Sequence, residues 1–240
     1  MNLISVEKNV DKRKRTVYSN RGVGIQCSLF DLTGEKMPRD KTENHGKIVE
    51  AAFEEFKKYG YEDASMRRIA TACGMSVSGL YKHFPGKEEM FASLVKPAVD
   101  GLMDLYHEIE REYFDELSRS GSVNMSSTKG ELVRAMEYIY DHFEEFELII
   151  CKSKGSVYEN FKHDIANLEE KLTLRYMEEM KKSGIPVKKI DKREFHLLIT
   201  ACVEALLQTV THGFSRKEAL HFANTVEKFY APAWKEYFGV

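Results

Sequence analysis

Between Ser65 and Phe84 two short segments with apolar faces are separated by the single tight turn Cys73-Gly74-Met75, and few packings satisfy that spacing. Met66, Ile69 and Ala70 recur as the inner face of one short helix, and Leu80, Tyr81 and Phe84 as the inner face of the next. Ala70 is small where the two helices must cross. Gly74 can adopt the positive φ that the turn between them needs. Ser65 and Ser76 stand where an N-cap belongs, and Pro85-Gly86 stops the second helix. These are the steric requirements of a helix-turn-helix.

The same helical period governs the rest of the chain from Lys47 onward, and no sustained β-alternation appears, so the expected class is all-α. A first helix is expected from about Glu43 to Tyr59, with Ile48, Ala51, Ala52 and Phe56 on one face and Gly60 as its stop. A long helix begins near Lys87, where Pro97 is expected to kink it or end its first part. Ser118–Gly130, rich in Ser and Gly, is the clearest later break. Further helices are expected near 131–151, 158–182, 192–212 and 216–238. Three regions follow: a disordered extension over 1–41, a helix-turn-helix domain over 42–90, and a helical effector and dimerisation domain over 91–240. Met37, just ahead of the first helix, reads like a natural start.

On the second short helix the inner face leaves Ser76, Val77, Ser78 and Gly79 outward at the N-terminal end, small enough for close approach to base edges. Arg67, Arg68, Tyr81, Lys82, His83 and Lys87 surround them as donors for phosphates. The segment from about Lys47 to Leu94 resembles the N-terminal DNA-binding domain of TetR-family regulators. Ile48, Ala51, Ala52, Phe56 and Gly60 carry that resemblance in the first helix. Ser65, Ile69, Ala70, Gly74, Ser76, Leu80, Tyr81, Phe84, Lys87 and Glu88 carry it beyond. Ser65 stands where Thr is more usual and Cys73 where Ala is frequent. The resemblance implies that Tyr81, His83 and Lys87 contact phosphates and that Val77, Ser78 and Gly79 lie against bases. It also implies a repressor released from a palindromic double-stranded operator by a small-molecule effector.

Beyond Leu94 the resemblance extends only to architecture, in which helices enclose an effector pocket and the last two pair with a second subunit. Residues 192–212 are apolar around most of their circumference, through Leu197, Leu198, Ala201, Cys202, Ala205, Leu206 and Val210. A polar stripe of Thr200, Glu204 and Gln208 is expected to meet its symmetry mate in a homodimer completed by 216–238. Leu102, Tyr106, Tyr138, His142, Phe143, Tyr176 and Cys202 combine apolar bulk with polar handles and are the candidate effector contacts; ordinary core packing is the alternative for each.

Composition narrows the rivals. The net charge of −2 does not advertise nucleic acid, so a DNA-binding reading rests on local charge; the acidity lies mainly in the C-terminal part. Cys27, Cys73, Cys151 and Cys202 are scattered without a CxxC pair, which fits reduced thiols. No apolar run reaches the roughly 20 residues of a membrane span, and no secretory h-region is visible, so a cytoplasmic location is expected. No HExxH, P-loop or GxSxG pattern supports an enzyme, and no cofactor is implied. A metal-responsive regulator using His107, His142 or His163 and a helical protein-interaction module are the other readings. The second of these leaves Ser76–Lys87 unexplained.

Overall fold

The computed structural model describes residues 39–120 and 130–240, with side chains over 45–119 and 130–240, and two short strands. The strands, β1 (Thr16–Val17) and β2 (Ile25–Gln26), pair antiparallel with Thr16 opposite Gln26. Every other described element is helical, in keeping with the all-α expectation. The expected disordered extension over 1–41 and Cys27 lie almost wholly outside the described residues.

Helix α1 (Arg39–Asp63) starts about four residues earlier than expected and breaks at Gly60, whose φ of 75° is closed to most side chains. Ile48, Ala52 and Phe56, spaced four apart, are fully buried. Helices α2 (Met66–Ala72) and α3 (Val77–Leu80) bury Ile69, Ala70 and Leu80. Gly74 joins them at φ 66°, and the Met75 N–H donates to the Ala70 carbonyl at 3.0 Å. Helix α4 (Lys87–Ser120) continues unbroken through Pro97, which lacks only its own N–H. It crosses the expected boundary at residue 90 and belongs to both halves. Phe91 near its start meets Phe56 edge-on at 5.0 Å, Tyr61 at 5.3 Å and Tyr158 at 6.0 Å, so one aromatic cluster joins the halves.

The expected helix over 131–151 is two: α5 (Glu131–Asp141) and α6 (Phe143–Lys152), divided at His142 with φ −121° and ψ 41°. Helices α7 (Phe161–Lys182), α8 (Lys192–Thr211) and α9 (Arg216–Phe238) follow. Asp191 caps α8 through the N–H of Arg193, and Ser215 with Glu218 forms a capping box on α9. The main core runs from Ile48 to Val226. A second cluster of Met177, Phe195, Ile199 and Phe238 closes the far ends of α7, α8 and α9. The gap between these two clusters is a cavity.

Candidate nucleic-acid interface and ligand cavity

The small three-helix unit presents its surface at the α2–α3 corner. Ser76 holds an extended conformation and its Oγ accepts the Gly79 N–H at 3.1 Å, so the expected cap forms and its hydroxyl serves the backbone. Ser65 makes no side-chain cap; its N–H donates to Glu55 Oε1 at 2.8 Å. Val77 and Gly79 are half-buried and Ser78 is exposed. Leu80 is sealed, but Tyr81, expected inside with Leu80 and Phe84, is 48% exposed. Its backbone is still helical, with φ −63° and ψ −16°, so Tyr81 stands about 100° round the helix from Leu80 and away from the face that Leu80 shares with Phe84.

The charges sort themselves by their bonds. Arg68 Nε donates to Glu55 Oε1 at 2.8 Å, its guanidinium also reaches the Asp63 carbonyl, and it lies over the Tyr59 ring at 4.2 Å. It is a structural residue. Lys87 Nζ donates to the carbonyls of Glu62 at 2.9 Å and Ala64 at 3.3 Å and sits 4.7 Å over Tyr61, leaving one donor free. Arg67 and Lys82 are exposed and His83 half-buried, with no ion pair among the described residues. Part of the acidity is consumed toward the larger half, where Glu62 meets Lys154 at 2.8 Å and Glu88 Oε1 accepts the Val157 N–H at 3.4 Å, its Oε2 accepting from Tyr61 at 2.7 Å. The outer corner therefore offers Arg67, Tyr81, Lys82 and His83 around Val77–Gly79.

The cavity in the larger half holds about 410 Å³ and is bounded by the second half of α4, the start of α5, and α7, α8 and α9. Of the candidate effector contacts, Tyr106, Tyr176 and Cys202 line it. Leu102 packs in the core beside a void of about 30 Å³ that Tyr106 also borders. Tyr138, His142 and Phe143 lie elsewhere. Tyr138 rests on α4 where a Cβ at Gly101 would overlap its hydroxyl, and its ring is 4.5 Å from that of His142. Phe143 packs on Tyr140 at 5.3 Å.

Residues that sequence reasoning missed dominate the cavity's chemistry. Glu131, Glu169 and Glu227 line it. Burial raises the carboxyl of Glu169 to about 8, assisted by repulsion from Glu131, while a hydrogen bond from Tyr106 opposes the shift. Burial likewise raises Glu131, despite a hydrogen bond from Tyr113, and raises Glu227. Both Glu131 and Glu169 are walled by protein yet keep some free surface, as side chains facing a cavity do. The signal available was positional: Glu169 falls on the apolar stripe Ile165–Leu172–Tyr176–Met180, and Glu227 on the stripe Ala223–Tyr230–Trp234.

On the polar stripe expected at a dimer seam, Thr200 Oγ1 is buried, while Glu204 pairs with Lys162 of α7 at 3.3 Å and stays partly exposed. Leu197, one turn before Thr200 on the same stripe, is 69% exposed, and Phe229 on α9 is 73% exposed. Among the described residues no group of three or more His, Cys, Asp or Glu is arranged to hold a metal ion, and no helix is long and apolar enough to cross a membrane.

Residues 48–94 match the model of the bacterial regulatory proteins of the tetR family. Over 86 residues the chain is 35% identical to an HTH-type transcriptional activator, FasR, of Mycolicibacterium smegmatis, covering 36% of this chain and 38% of that one. Over 77 residues it is 31% identical to an HTH-type transcriptional regulator of Staphylococcus aureus, covering 32% and 42%. The matched segment thus spans well under half of these relatives. Likeness of fold extends further. The fatty acid degradation regulator FadR from Bacillus halodurans superposes with a TM-score of 0.50 at 15% identity, over 81% of this chain and 95% of that one. FadR from Bacillus subtilis, in complex with stearoyl-CoA, gives 0.50 at 13% identity over 77% and 96%. NalD of Pseudomonas aeruginosa, the secondary repressor of the MexAB-OprM efflux pump, gives 0.50 at 14% over 84% and 98%.

Proposed function

We propose, from the premise that this chain belongs through its N-terminal module to the tetR family of bacterial regulatory proteins, that it is a dimeric transcriptional repressor released from a palindromic operator by a small molecule. The observation that carries this reading is the outer corner of α2 and α3. A sealed core of Ile69, Ala70 and Leu80 leaves Val77, Ser78 and Gly79 to approach base edges. Arg67, Tyr81, Lys82 and His83 supply donors to the flanking phosphates. Lys87 contributes its remaining N–H and, through the carbonyls it holds, fixes α4 against the turn after α1.

A second copy of the chain covers the faces of α8 and α9 that carry Leu197 and Phe229, and it sets two recognition elements about one DNA turn apart. The cavity is the effector site, a role supported by the stearoyl-CoA complex of the Bacillus subtilis FadR. A ligand there spreads α4 against α7 and α8, and because α4 runs without a break from the cavity to Lys87, it shifts the population toward a form whose two corners no longer match the operator.

Footprinting on the chain's own promoter region at two salt concentrations tests this reading. The expected result is a protected palindrome whose affinity falls steeply with salt and is lost in the Arg67→Ala, Tyr81→Ala, Lys82→Ala variant. Weak binding without sequence preference, repeated in a genome-wide selection, would sink it. Ligand that tightens the same complex would make the small molecule a corepressor and overturn release as the mechanism.

A further inference from the structure

The cavity's walls are rich in aromatic rings and most of its charged groups are acidic, a combination that selects one kind of ligand. Tyr106, Tyr113, Phe114, Tyr176, Tyr230 and Trp234 turn surface toward it, and Met177 and Met180 supply adaptable apolar contacts. Within this enclosure stand Glu131, Glu169 and Glu227, close enough for Glu131 to be repelled by Glu227 and Glu169 by Glu131. Glu227 Oε2 is buried without a hydrogen-bond partner, and any side chain at Gly130 would overlap this carboxylate.

Two of the three arginines nearby are already engaged. Arg134 donates to Glu112 at 2.6 Å and reaches Glu108, Arg175 pairs with Glu110, and Arg119 is exposed at the rim. Desolvated carboxylates without counterions are costly, and an entering anion would add a like charge. A cation neutralises them and gains from the ring faces as well. At about 410 Å³ the space suits a drug-sized molecule.

We propose, resting on the reading of this cavity as the effector site, that its ligand is a lipophilic organic cation held between the aromatic faces and the carboxylates of Glu131, Glu169 and Glu227. Tyr106 and Tyr113 hold two of the carboxylates by hydrogen bonds, and Arg134 is the one base that acts on Glu131. Glu110, Glu112, Asp115, Glu116 and Arg119 on α4 and Tyr176 on α7 also line the site, with Cys202 on α8 and Tyr230 on α9. Burial raises Tyr176, Cys202 and Tyr230, so the thiolate and the phenolates are absent at neutral pH, and among the groups raised by burial the carboxyls alone change charge there. Cation binding therefore strengthens as pH rises through about 8, the range in which Glu169 ionises.

The sole tryptophan, Trp234, lines the cavity and reports its occupancy in the full-length protein. Titration with tetraphenylphosphonium and with tetraphenylborate compares two lipophilic ions of nearly equal shape and opposite charge, neither of which titrates. The expected result is saturable binding of the phosphonium at one per chain, at least about tenfold tighter than the borate. That affinity should increase from pH 6.5 to 9. Glu131→Gln with Glu169→Gln, checked for folding by circular dichroism, should weaken the phosphonium at least about tenfold and spare the borate. Borate binding as tightly as phosphonium would overturn the proposal. So would absence of saturable phosphonium binding, unchanged affinity in the Gln variant, or stearate binding in the cavity ahead of the cation with its head at Arg119. No DNA enters these titrations. Cation binding without operator binding would defeat the repressor reading alone, and operator binding without cation binding would defeat this inference alone.

Discussion

The two halves of the molecule solve opposite problems. The module of α1 to α3 has a sealed core, in which Ile48, Phe56, Ile69 and Leu80 are fully buried, and its functional side chains stand outside. The half built from α4 to α9 leaves a gap in its core and turns its functional side chains inward. A surface that reads a rigid duplex benefits from a rigid support. A site that must change state when a ligand enters benefits from unfilled volume and from carboxyls whose burial already disfavours the empty form.

That contrast can be broken by experiment. The largest effect is expected for Phe56→Ala, where a full aromatic ring leaves a tight cluster with Phe91 and Tyr61; unfolding by denaturant should register a loss of about 3–5 kcal/mol. Met180→Ala, at the cavity wall, should cost less than half as much, since the ring of contacts around it is already incomplete. Equal losses at the two sites would abolish the distinction between sealed and open cores.

Next in size is the cost of the buried carboxyls. Glu169 has its folded pKa raised to about 8 from an ordinary value of 4.5, so the folded state holds a proton that the unfolded chain has released. Stability is therefore full below about pH 4.5 as far as this group is concerned and declines as pH rises toward 8. Glu169→Gln should flatten that decline and raise Tm at pH 8 by roughly 2–4 °C, the shift that about 1 kcal/mol makes in a chain of this size. A lower Tm would mean that the carboxylate has a stabilising partner.

At the outer corner, Ser76→Ala should cost about 1 kcal/mol by freeing the Gly79 N–H, and thermal melts measure it. Smallest is Lys82→Ala, which should leave stability within about 0.5 kcal/mol while lowering the salt slope of operator binding by about one. A Lys82 variant that melted early would place that side chain in the support and not on the reading surface.

Much of the module was legible because its determinants are local. Apolar residues four apart, a glycine at each break and a serine cap all fall within about 45 residues, and each has one geometric meaning. Bonds between helices lay beyond such reading: Ser65 donates its N–H to Glu55, Arg68 is tied to the same carboxylate, and Lys87 spends two donors on carbonyls. In the larger half, of the residues put forward as effector contacts, Tyr106, Tyr176 and Cys202 line the cavity, whereas Tyr138, His142 and Phe143 lie outside its lining.

By itself, then, the sequence determined an all-helical chain, the helix-turn-helix with its turn at Gly74, and the exposed position of Ser78. These follow from periodicity and from backbone conformations that only certain residues can adopt. The tertiary structure decided which carboxylates are buried together, which basic residues are consumed, and where the core stays open. Those properties depend on helices as far apart as residues 106 and 238 meeting imperfectly, and a gap between distant helices leaves no periodic trace in any one of them.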